Sequence, residues 1–255
     1  MALFTDGPAS SIDDMSAQDS QLLTVANVEG IDVTQKIGLA QDEISMELTT
    51  LLTSLNYTGQ LFWVPPQPNI GGVVVTAPLK LWHTLRSLEL VYMDAYNSQL
   101  NDRYAGKRDQ FHEMARWAYE KLVDTGIGIA NYPLPQADTP TVTTSPGGPL
   151  PDGTYYITMA WVNSYGEEGA PAIPGGITTS GCTFAVQTGP CPANATGWNL
   201  YVGTSPDTLA LQNGTPIGAS ENWLQPAVIV TSGRAPGSGQ SPSYLKLVPR
   251  MLQRG

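Results

Sequence analysis

The N-terminal half of the chain carries three segments in which apolar residues recur every three or four positions, the period of an amphipathic α-helix. The first runs from about residue 31 to residue 55, the second from Pro78 to about residue 103, and the third from about residue 107 to residue 125. We therefore predict a helical domain over residues 31–130. Residues 1–30 are small, polar and acidic, which is typical of a flexible N-terminal arm.

The first predicted helix has an acidic outer surface. Ile37 and Ile44 lie on its apolar side, whereas Asp42 falls on the opposite side, with Glu43 and Glu47 towards the flanks. These positions follow from the helical period of 3.6 residues. Such a face is either simply solvated or meets a partner, and the sequence leaves both interpretations open.

The segment between the first two helices, residues 59–76, reads GQLFWVPPQPNIGGVVVT. Its prolines and glycines are incompatible with a helix. Two short apolar runs flank a Pro/Gly turn, which predicts the two extended arms of a protruding loop. Trp63, Val64, Asn69 and Ile70 are the candidate contact residues of this loop. Burial of the Trp63 indole in the core is the alternative.

A second domain follows a Pro/Thr/Gly-rich stretch at residues 131–151, which we interpret as a semi-rigid linker. In GTYYITMAWVN, residues 153–163, alternate side chains face opposite sides of a predicted strand. The sequence GWNLYVG, residues 197–203, predicts a second strand of the same kind. Short strands at intervals of roughly 8–12 residues, separated by turn residues, predict a β-sandwich over residues 152–232.

The C-terminal segment, residues 233–255, loses the β-pattern. A Gly/Ser/Pro spacer is followed by a short tail that is both apolar and basic. A tail of this composition either packs back on its own chain or docks into a partner, and the sequence favours neither. The residues that we assign to this candidate docking tail are Tyr244, Leu245, Lys246, Leu247, Arg250, Met251 and Leu252.

The charge balance restricts the classes of partner. The 255 residues carry a formal net charge of −10, and residues 1–60 hold nine acidic residues and one base. Phosphate contacts require Lys and Arg, so we expect poor binding to nucleic acids in general. An acidic chain can nevertheless surround DNA without gripping it.

The sequence also bears on the cellular compartment. The N-terminus lacks a basic region followed by an apolar stretch, so we expect no signal peptide and synthesis in the cytosol. No apolar run reaches the length of a membrane span. A short hairpin could bring Cys182 and Cys191 together, and both a disulfide and two free thiols remain open.

Sequence motifs of catalysis and cofactor binding are not found. His83 and His112 lie in predicted helices without metal-ligand spacing, and the Gly-rich segments lack the phosphate-loop pattern. Glu167 and Glu168 are adjacent in a turn, where their side chains diverge, whereas a glycosidase needs two carboxylates facing across a cleft. We therefore predict a protein that is not an enzyme and uses no cofactor or metal.

Two parts of the sequence resemble virion proteins of tailed bacteriophages. The segment GTYYITMAWVNSYGEEGAPA (residues 153–172), followed by GWNLYVGTSPDTLALQ (residues 197–212), resembles the fibronectin-III- or immunoglobulin-like modules appended to such proteins. In those modules a YY-x-x-x-x-W/Y-V-N-x-x-G-E strand and turn precede a G-x-N-x-Y-V-G strand. The layout of acidic arm, helix, extended loop, long helix and third helix resembles the small head–tail connector (adaptor) proteins that stack as a ring under the portal.

This resemblance implies a fold and a set of partners. The fold would be an α + β multidomain protein, with a helical bundle followed by an immunoglobulin/fibronectin-III-like β-sandwich. The protein would be a structural component of the virion neck, assembled in the host cytoplasm as a ring that the family implies to be a dodecamer. Its partners would be the portal protein, the next neck or tail protein, and double-stranded DNA that passes through without sequence-specific binding.

The resemblance also implies roles for particular residues. Asp42, Glu43 and Glu47 would face the DNA channel, where an acidic wall repels phosphate and keeps DNA mobile. The docking tail would contact the portal or a neighbouring subunit. The loop around Trp63–Ile70 would contact the next ring.

The alternative function is binding of a host-surface carbohydrate by the β-sandwich of a phage tail, baseplate or capsid-decoration protein. Exposed aromatic side chains would then serve as stacking platforms. We expect Trp161 and Trp198 in the core of the sandwich. Trp223, in the segment SENWLQP, is the candidate exposed aromatic.

Overall fold

The computed structural model describes residues 1–57, 68–99, 102–225 and 228–246, with the side chains of all of these except 54–57 and 99. Within them, helices come first and antiparallel strands follow, so this is an α+β protein. The helices are α1 (Ile12–Gln18), α2 (Leu22–Glu29), α3 (Val33–Tyr57), α4 (Ala77–Gln99) and α5 (Ala105–Thr125). The strands are β1 (Ile127–Ile129), β2 (Thr141–Pro146), β3 (Gly153–Asn163), β4 (Gly175–Thr179), β5 (Cys182–Gln187), β6 (Ala195–Gly203), β7 (Ala210–Leu211), β8 (Ile217–Gly218), β9 (Trp223–Leu224) and β10 (Ser243–Leu245).

The chain divides into two compact units. The helical unit comprises Gly7–Asn131 and the described residues from Pro242 onwards, and the β unit comprises Met1–Asp6 and Tyr132–Ser241. The first six residues therefore belong to the β unit, although the helical unit follows them in sequence. The described residues from Pro242 onwards belong to the helical unit, although the β unit precedes them. No described helix is long and apolar enough to cross a membrane.

Helix α4 is the centre of the helical unit. It contacts α1, α2, α3 and α5, and Leu85, Leu88 and Tyr92 on it are fully buried. Burial of a large apolar side chain stabilises a fold by about 1.5–3 kcal/mol. The long helices predicted from the apolar period are present, and the predicted inward residues of α5, from Phe111 to Leu122, are buried.

Residues 1–30 differ from the flexible arm expected from the sequence, because two short helices form there. Ser11 and Asp14 make a capping box at the start of α1: the Asp14 N–H donates to Ser11 Oγ and the Ser11 N–H donates to the Asp14 carboxylate. Met15 and Leu22 are fully buried, and the carboxylate of Asp19 accepts a hydrogen bond of 2.5 Å from Tyr92 Oη. Packing against α4 therefore orders a segment whose composition is polar.

The β unit contains two antiparallel sheets. One has the strand order β2-β5-β9, and the other has the order β4-β3-β6-β7, with β8 also paired to β6. Strands β3 and β6 are in register, with Trp161 opposite Trp198. Residues from both sheets, including Phe184 of β5 and Trp198 of β6, share one hydrophobic core.

The borders of the β unit also differ from the prediction of a linker at 131–151 and a domain at 152–232. Strand β2 lies inside the expected linker and pairs with β5 over six residues, while Leu134 and Leu150 are buried in the core. A Pro/Thr-rich segment can form an edge strand, because one side of such a strand needs no ladder hydrogen bonds. Cys182 is buried, Cys191 is exposed, and both thiols are free, so the disulfide alternative is not realised.

The start of the predicted docking tail forms part of the helical unit. Strand β10 pairs antiparallel with β1, with Leu245 opposite Ile127 and Tyr244 opposite Gly128. Gly128 has no room for a side chain, because an added Cβ would lie 2.6 Å from Thr76 Cγ2 and 2.9 Å from Pro242 Cβ. The close approach of these segments therefore requires glycine at residue 128.

Candidate functional site

A groove on the helical unit lies between α3, α4 and α5 and encloses a cavity of about 360 Å³. Residues three, four or seven positions apart share one face of a helix, so each helix presents its side chains to the same space. Arg86 of α4 donates to Glu43 of α3 over 2.7 Å and to Glu89 over 2.7 Å. The second oxygen of Glu89 lies 2.8 Å from Nδ1 of His112 of α5. We call the groove that contains Arg86, Glu43, Glu89 and His112 the charged groove.

Aromatic side chains close the other part of the charged groove. Tyr119 Oη donates to Glu47 Oε1 over 3.1 Å, and the Tyr119 ring lies 5.0 Å from the Trp82 ring at an interplanar angle of 58°. Burial, and then the neighbouring Glu47 carboxylate, raises the pKa of the Tyr119 hydroxyl. Tyr119 is therefore a hydrogen-bond donor at neutral pH.

The charged groove stabilises the packing of three helices. Both oxygens of Glu89 are engaged, one by Arg86 and one by His112, and Glu89 is buried. A buried carboxylate requires such partners, because leaving it unpaired is costly. No group of three or more His, Cys, Asp or Glu side chains among the described residues is arranged to hold a metal ion.

The three candidate channel-facing acids differ in their surroundings. Glu43 is paired with Arg86 and Glu47 is bonded to Tyr119. Asp42 is exposed and has no hydrogen-bond or ion-pair partner among the described residues. The three carboxylates therefore do not form a common surface of unpaired negative charge.

Exposed apolar side chains flank Asp42 on the same face of α3. Leu39 lies three residues before it and Met46 four residues after it, and both are exposed, Met46 to 65%. On α5, Trp117 is 51% exposed. Contiguous exposed apolar surface is typical of protein–protein contacts, whereas single exposed apolar side chains are common on any protein.

The predicted loop and tail are described in part. Asn69 and Ile70 stand at the start of a single 3₁₀ turn, Ile70–Gly72, in which the Asn69 side chain accepts from the Gly71 N–H. Trp63 and Val64 of the predicted loop lie outside the described residues. Tyr244 and Leu245 belong to β10, with Tyr244 half exposed, and Lys246 follows the strand. The remaining residues of the predicted tail, Leu247, Arg250, Met251 and Leu252, lie outside the described residues.

The turn NSYGEEG of the β unit contains two carboxylates, Glu167 and Glu168, which bond to different sets of partners. Asn163 accepts from the backbone N–H groups of Tyr165 and Glu167 and donates from Nδ2 to Glu167 over 2.8 Å. Glu167 also accepts from Gln240 Nε2 over 2.9 Å. The Gln240 side chain in turn accepts from the Leu134 N–H over 2.6 Å. This arrangement ties the segment after β9 to the turn.

Glu168 points to the other side of the turn. Its Oε1 accepts from Asn199, from Tyr201 Oη at 2.5 Å and from Arg234 at 2.6 Å. Burial, and then the hydrogen bond to Glu168, raises the pKa of Tyr201. The divergence of Glu167 and Glu168 expected from their adjacency is therefore present, and each carboxylate holds separate segments of the β unit.

Trp223 is not the exposed aromatic that the sequence predicted. It lies in β9, is only 8% exposed and belongs to the core of the β unit, because its strand pairs with β5 and turns the indole inward. Tyr165 is 65% exposed instead. Its ring stacks on Tyr132 at a centroid distance of 4.6 Å and an angle of 29°, and the two hydroxyls lie 3.1 Å apart. We call these two residues the stacked tyrosine pair.

No protein-family model, curated protein or solved structure matches the chain. Assignment of a function therefore depends on the residues themselves. Within the part of the chain that the structure describes, the exposed face of α3, Trp117 and the stacked tyrosine pair are among the features open to a partner.

Sequence reasoning missed several of these residues. The helical period places Leu39 and Met46 on the face opposite Ile37 and Ile44, so the exposed apolar face of α3 could have been found from spacing alone. The stacked tyrosine pair joins residues 33 positions apart, and no local pattern indicates such a contact. The same is true of Arg234, whose partner Glu168 is 66 positions away.

Proposed function

We propose that the chain is a structural protein of a tailed-phage virion that forms a ring at the neck and joins the portal to the tail. The observation that carries this proposal is the exposed apolar face of α3, where Leu39 and Met46 are exposed beside Asp42. The sequence resemblance to connector proteins supports the same assignment. That resemblance implies a ring of twelve copies.

Repeated contacts between copies would cover this face. In a ring, one patch of each copy meets a different patch of the next. Met46 belongs to α3 and Trp117 to α5, so these two exposed side chains can serve as the two different patches of a head-to-tail contact. We propose that the α3 face of one copy packs against the Trp117 region of its neighbour.

Asp42 is the predicted acid that best fits an acidic DNA channel, because it is exposed. Glu43 is paired with Arg86, whereas Glu47 keeps its negative charge, since its partner Tyr119 is neutral. A ring can repel phosphate through repeated copies of such carboxylates together with the overall charge of −10. The DNA would then pass without sequence-specific contacts.

We further propose that the β unit is an immunoglobulin/fibronectin-III-like sandwich. Two antiparallel sheets that share one core support this assignment, as does the matching motif in β3, its turn and β6. Sheets in such sandwiches pack about 10 Å apart with their strands within about 30° of each other. A crystal structure of the β unit in the whole protein would measure both quantities.

The deciding experiment is a cryo-EM reconstruction of the virion neck, computed without imposed symmetry, in which this chain is traced. We expect a ring of copies beneath the portal. Tracing the chain at the tail tip or on the capsid surface would refute the connector assignment. The same map would show whether Asp42 faces DNA or a neighbouring copy.

Introduction of a charge at the proposed contact gives an independent test. Met46→Glu and Trp117→Glu are expected to abolish incorporation of the protein into particles, because each places a charge in an apolar contact. Ile173→Glu, at a 74% exposed apolar residue of the β unit, is the matched control. Normal incorporation of both helical variants would contradict the proposed contact.

Binding of a host-surface carbohydrate is the second candidate function, favoured by the stacked tyrosine pair. The ring of Tyr165 is 65% exposed and is held by Tyr132, so it offers a rigid platform against which a sugar ring can stack. Under this proposal the chain is a tail, baseplate or capsid-decoration protein.

Glycan binding can be tested with a single substitution. Tyr165→Ala is expected to abolish binding on an array of bacterial surface glycans. Tyr244→Ala, at a half-exposed tyrosine of the helical unit, should leave binding unchanged. Retained binding by Tyr165→Ala, or no glycan bound by the unsubstituted protein, would remove this candidate.

A further inference from the structure

The β unit also contains a cavity, which does not include the stacked tyrosine pair. A cavity of about 600 Å³ opens where the start of β3, the end of β6 and the segment after β9 come together. Because β3 and β6 are antiparallel, with Tyr156 opposite Gly203, the first residues of β3 lie beside the last residues of β6. The volume falls within the range of about 300–1,000 Å³ that is usual for small-molecule sites.

The cavity has an apolar interior and a polar mouth. Leu150, Tyr155 and Val202 line it and are buried. The threonines at its edge, such as Thr154, are exposed, as is Asp152. A molecule that fills this space would therefore place an apolar body inside and a more polar end in water.

One buried polar side chain lies within the apolar part. Gln225 is only 8% exposed and lines the cavity. Its backbone N–H donates to the Phe184 carbonyl over 3.0 Å, and its Oε1 accepts from the Phe184 N–H over 3.0 Å. These two bonds to β5 fix the orientation of the side-chain amide. They also continue the pairing of β9 with β5 by one residue.

The other end of this amide has no partner among the residues that the structure describes. Gln225 Nε2 is buried and makes no hydrogen bond to any described residue. A buried donor without an acceptor is costly, and nearly all buried polar groups in folded proteins are satisfied. An oxygen atom of a bound molecule would remove this cost.

We propose that this cavity binds a small, neutral, mainly apolar molecule whose carbonyl or ether oxygen accepts a hydrogen bond from Gln225 Nε2. The carboxylate of Asp152 at the mouth disfavours anions by like-charge repulsion. This site does not depend on the contact proposed between α3 and the Trp117 region, because none of its residues lies in the helical unit.

The test uses a pair of fluorescent probes with the full-length protein. Prodan is a neutral naphthalene that carries a propionyl ketone, and dimethylaminonaphthalene lacks that ketone. We expect saturable binding of Prodan with a shift of its emission to shorter wavelength. The probe without the ketone should bind about fivefold more weakly, the effect of one hydrogen bond.

Substitutions assign the binding to this cavity. Val230→Trp places a large ring at a half-exposed residue of the cavity wall and should weaken Prodan binding at least about tenfold. Ile173→Trp is the matched control at an exposed residue outside the cavity and should have no effect. Gln225→Glu retains an oxygen for the Phe184 N–H but removes the amide donor, so the preference for the ketone should disappear.

Three results would overturn the proposal. One is the lack of saturable Prodan binding to the unsubstituted protein, and another is equal affinity in Val230→Trp and the unsubstituted protein. The third is a preference for the ketone that persists in Gln225→Glu. If that variant does not fold, as judged by circular dichroism, the two-probe comparison on the unsubstituted protein decides: equal affinity for both probes overturns the hydrogen bond.

Discussion

His83 should make the stability of the helical unit depend on pH. It lies on the central helix α4, is fully buried, and its Nδ1 is 2.7 Å from Ser10 Oγ, which is also buried. Burial lowers the pKa of His83 from 6.5 to about 4, although a backbone contact with Ile37 acts in the opposite direction. The imidazole is therefore neutral in the folded protein at pH values where it is protonated in the unfolded chain.

The sign and the size of the effect follow from these two pKa values. Below pH 6.5 the unfolded chain binds a proton that the folded protein does not bind until about pH 4. The unfolded state therefore gains stability as the pH falls, and the folded state loses it. At 1.36 kcal/mol for each pKa unit, the full loss is about 3 kcal/mol, of which about 2 kcal/mol is reached at pH 5.

Urea unfolding between pH 7.5 and pH 4.5, followed by circular dichroism at 222 nm, measures this loss, because the helices dominate that signal. The informative quantity is the difference in unfolding free energy between the unsubstituted protein and His83→Gln. Carboxylates that titrate in the same range affect both proteins and cancel. We expect the unsubstituted protein to lose about 2 kcal/mol more than the variant between pH 7.5 and pH 5.

His112→Gln is the matched control, since it removes the other histidine of the chain and leaves His83 in place. It should retain the pH-dependent loss assigned to His83. A difference between the unsubstituted protein and His83→Gln that stays constant over the whole pH range would refute the reasoning. It would mean that His83 has the same pKa in the folded protein as in the unfolded chain.

Three further predictions concern stability. Glu168→Gln should destabilise the β unit by about 1–3 kcal/mol in urea unfolding followed by near-ultraviolet circular dichroism, because it weakens the acceptor for Tyr201 and removes the pair with Arg234; an unchanged midpoint would contradict this. Gly128→Ala should separate β10 from β1, because its Cβ would lie 2.6 Å from Thr76 Cγ2 and 2.9 Å from Cβ of Pro242, the residue before β10. Faster amide exchange in β10 would report this separation. Leu88→Ala on α4 should lower the free energy of unfolding by about 2–5 kcal/mol, the usual range for a buried leucine. Urea unfolding followed by the helical signal measures this loss. A loss below about 1 kcal/mol would mean that the site collapses around the smaller side chain.

The long helices were predictable because their information is local. In α3 and α5 the inward residues recur with the helical period, and the structure buries Ile37, Ile44 and Phe111 as that period requires. Strand β6 was predictable for the same reason, since Trp198 and Val202 lie on one apolar face and are fully buried. The burial of Asn199 and Tyr201 on its other face could not be read from that alternation. Periodicity identifies an element when one of its faces is apolar.

The ordering of residues 12–29 was not predicted, because tertiary contacts outweigh composition there. Helices of seven and eight residues are too short to be stable alone. Their order depends on Met15, Leu22 and the bond from Tyr92 to Asp19. The capping box at Ser11 was a local signal that could have indicated the first of them.

The ends of the β unit were missed for a different reason. Strand β2 and the segment around Gln240 are rich in Pro, Gly, Ser or Thr, and such composition predicts loops. Their positions are fixed by partners far away in sequence: β2 pairs with β5, and Gln240 bonds to Tyr132 and Glu167. Long-range pairing of this kind leaves no trace in a single sequence.

The residues that carry the family resemblance are chiefly determinants of folding. In the turn after β3, Asn163 forms the turn itself, Glu167 holds Gln240, and Glu168 holds Tyr201 and Arg234. Trp161 is buried in the core. A motif whose members are all engaged within the fold can identify a type of module, but it leaves few of its own groups for a partner.

Two places in the fold offer groups that the motif does not engage. The exposed face of α3 lies outside the motif, and the motif supplies only wall residues such as Tyr155 and Val202 to the cavity beside Gln225. The two places call for different partners. Met46 and Leu39 are exposed side chains on a helix surface, which only another macromolecule can cover. Gln225 lines a concave site, and its Nε2 makes no hydrogen bond to any described residue, so an oxygen of a small molecule is the partner that we propose for it. Loss of ring assembly in Met46→Glu with retained Prodan binding, and the reverse in Val230→Trp, would show that the two units perform separable tasks.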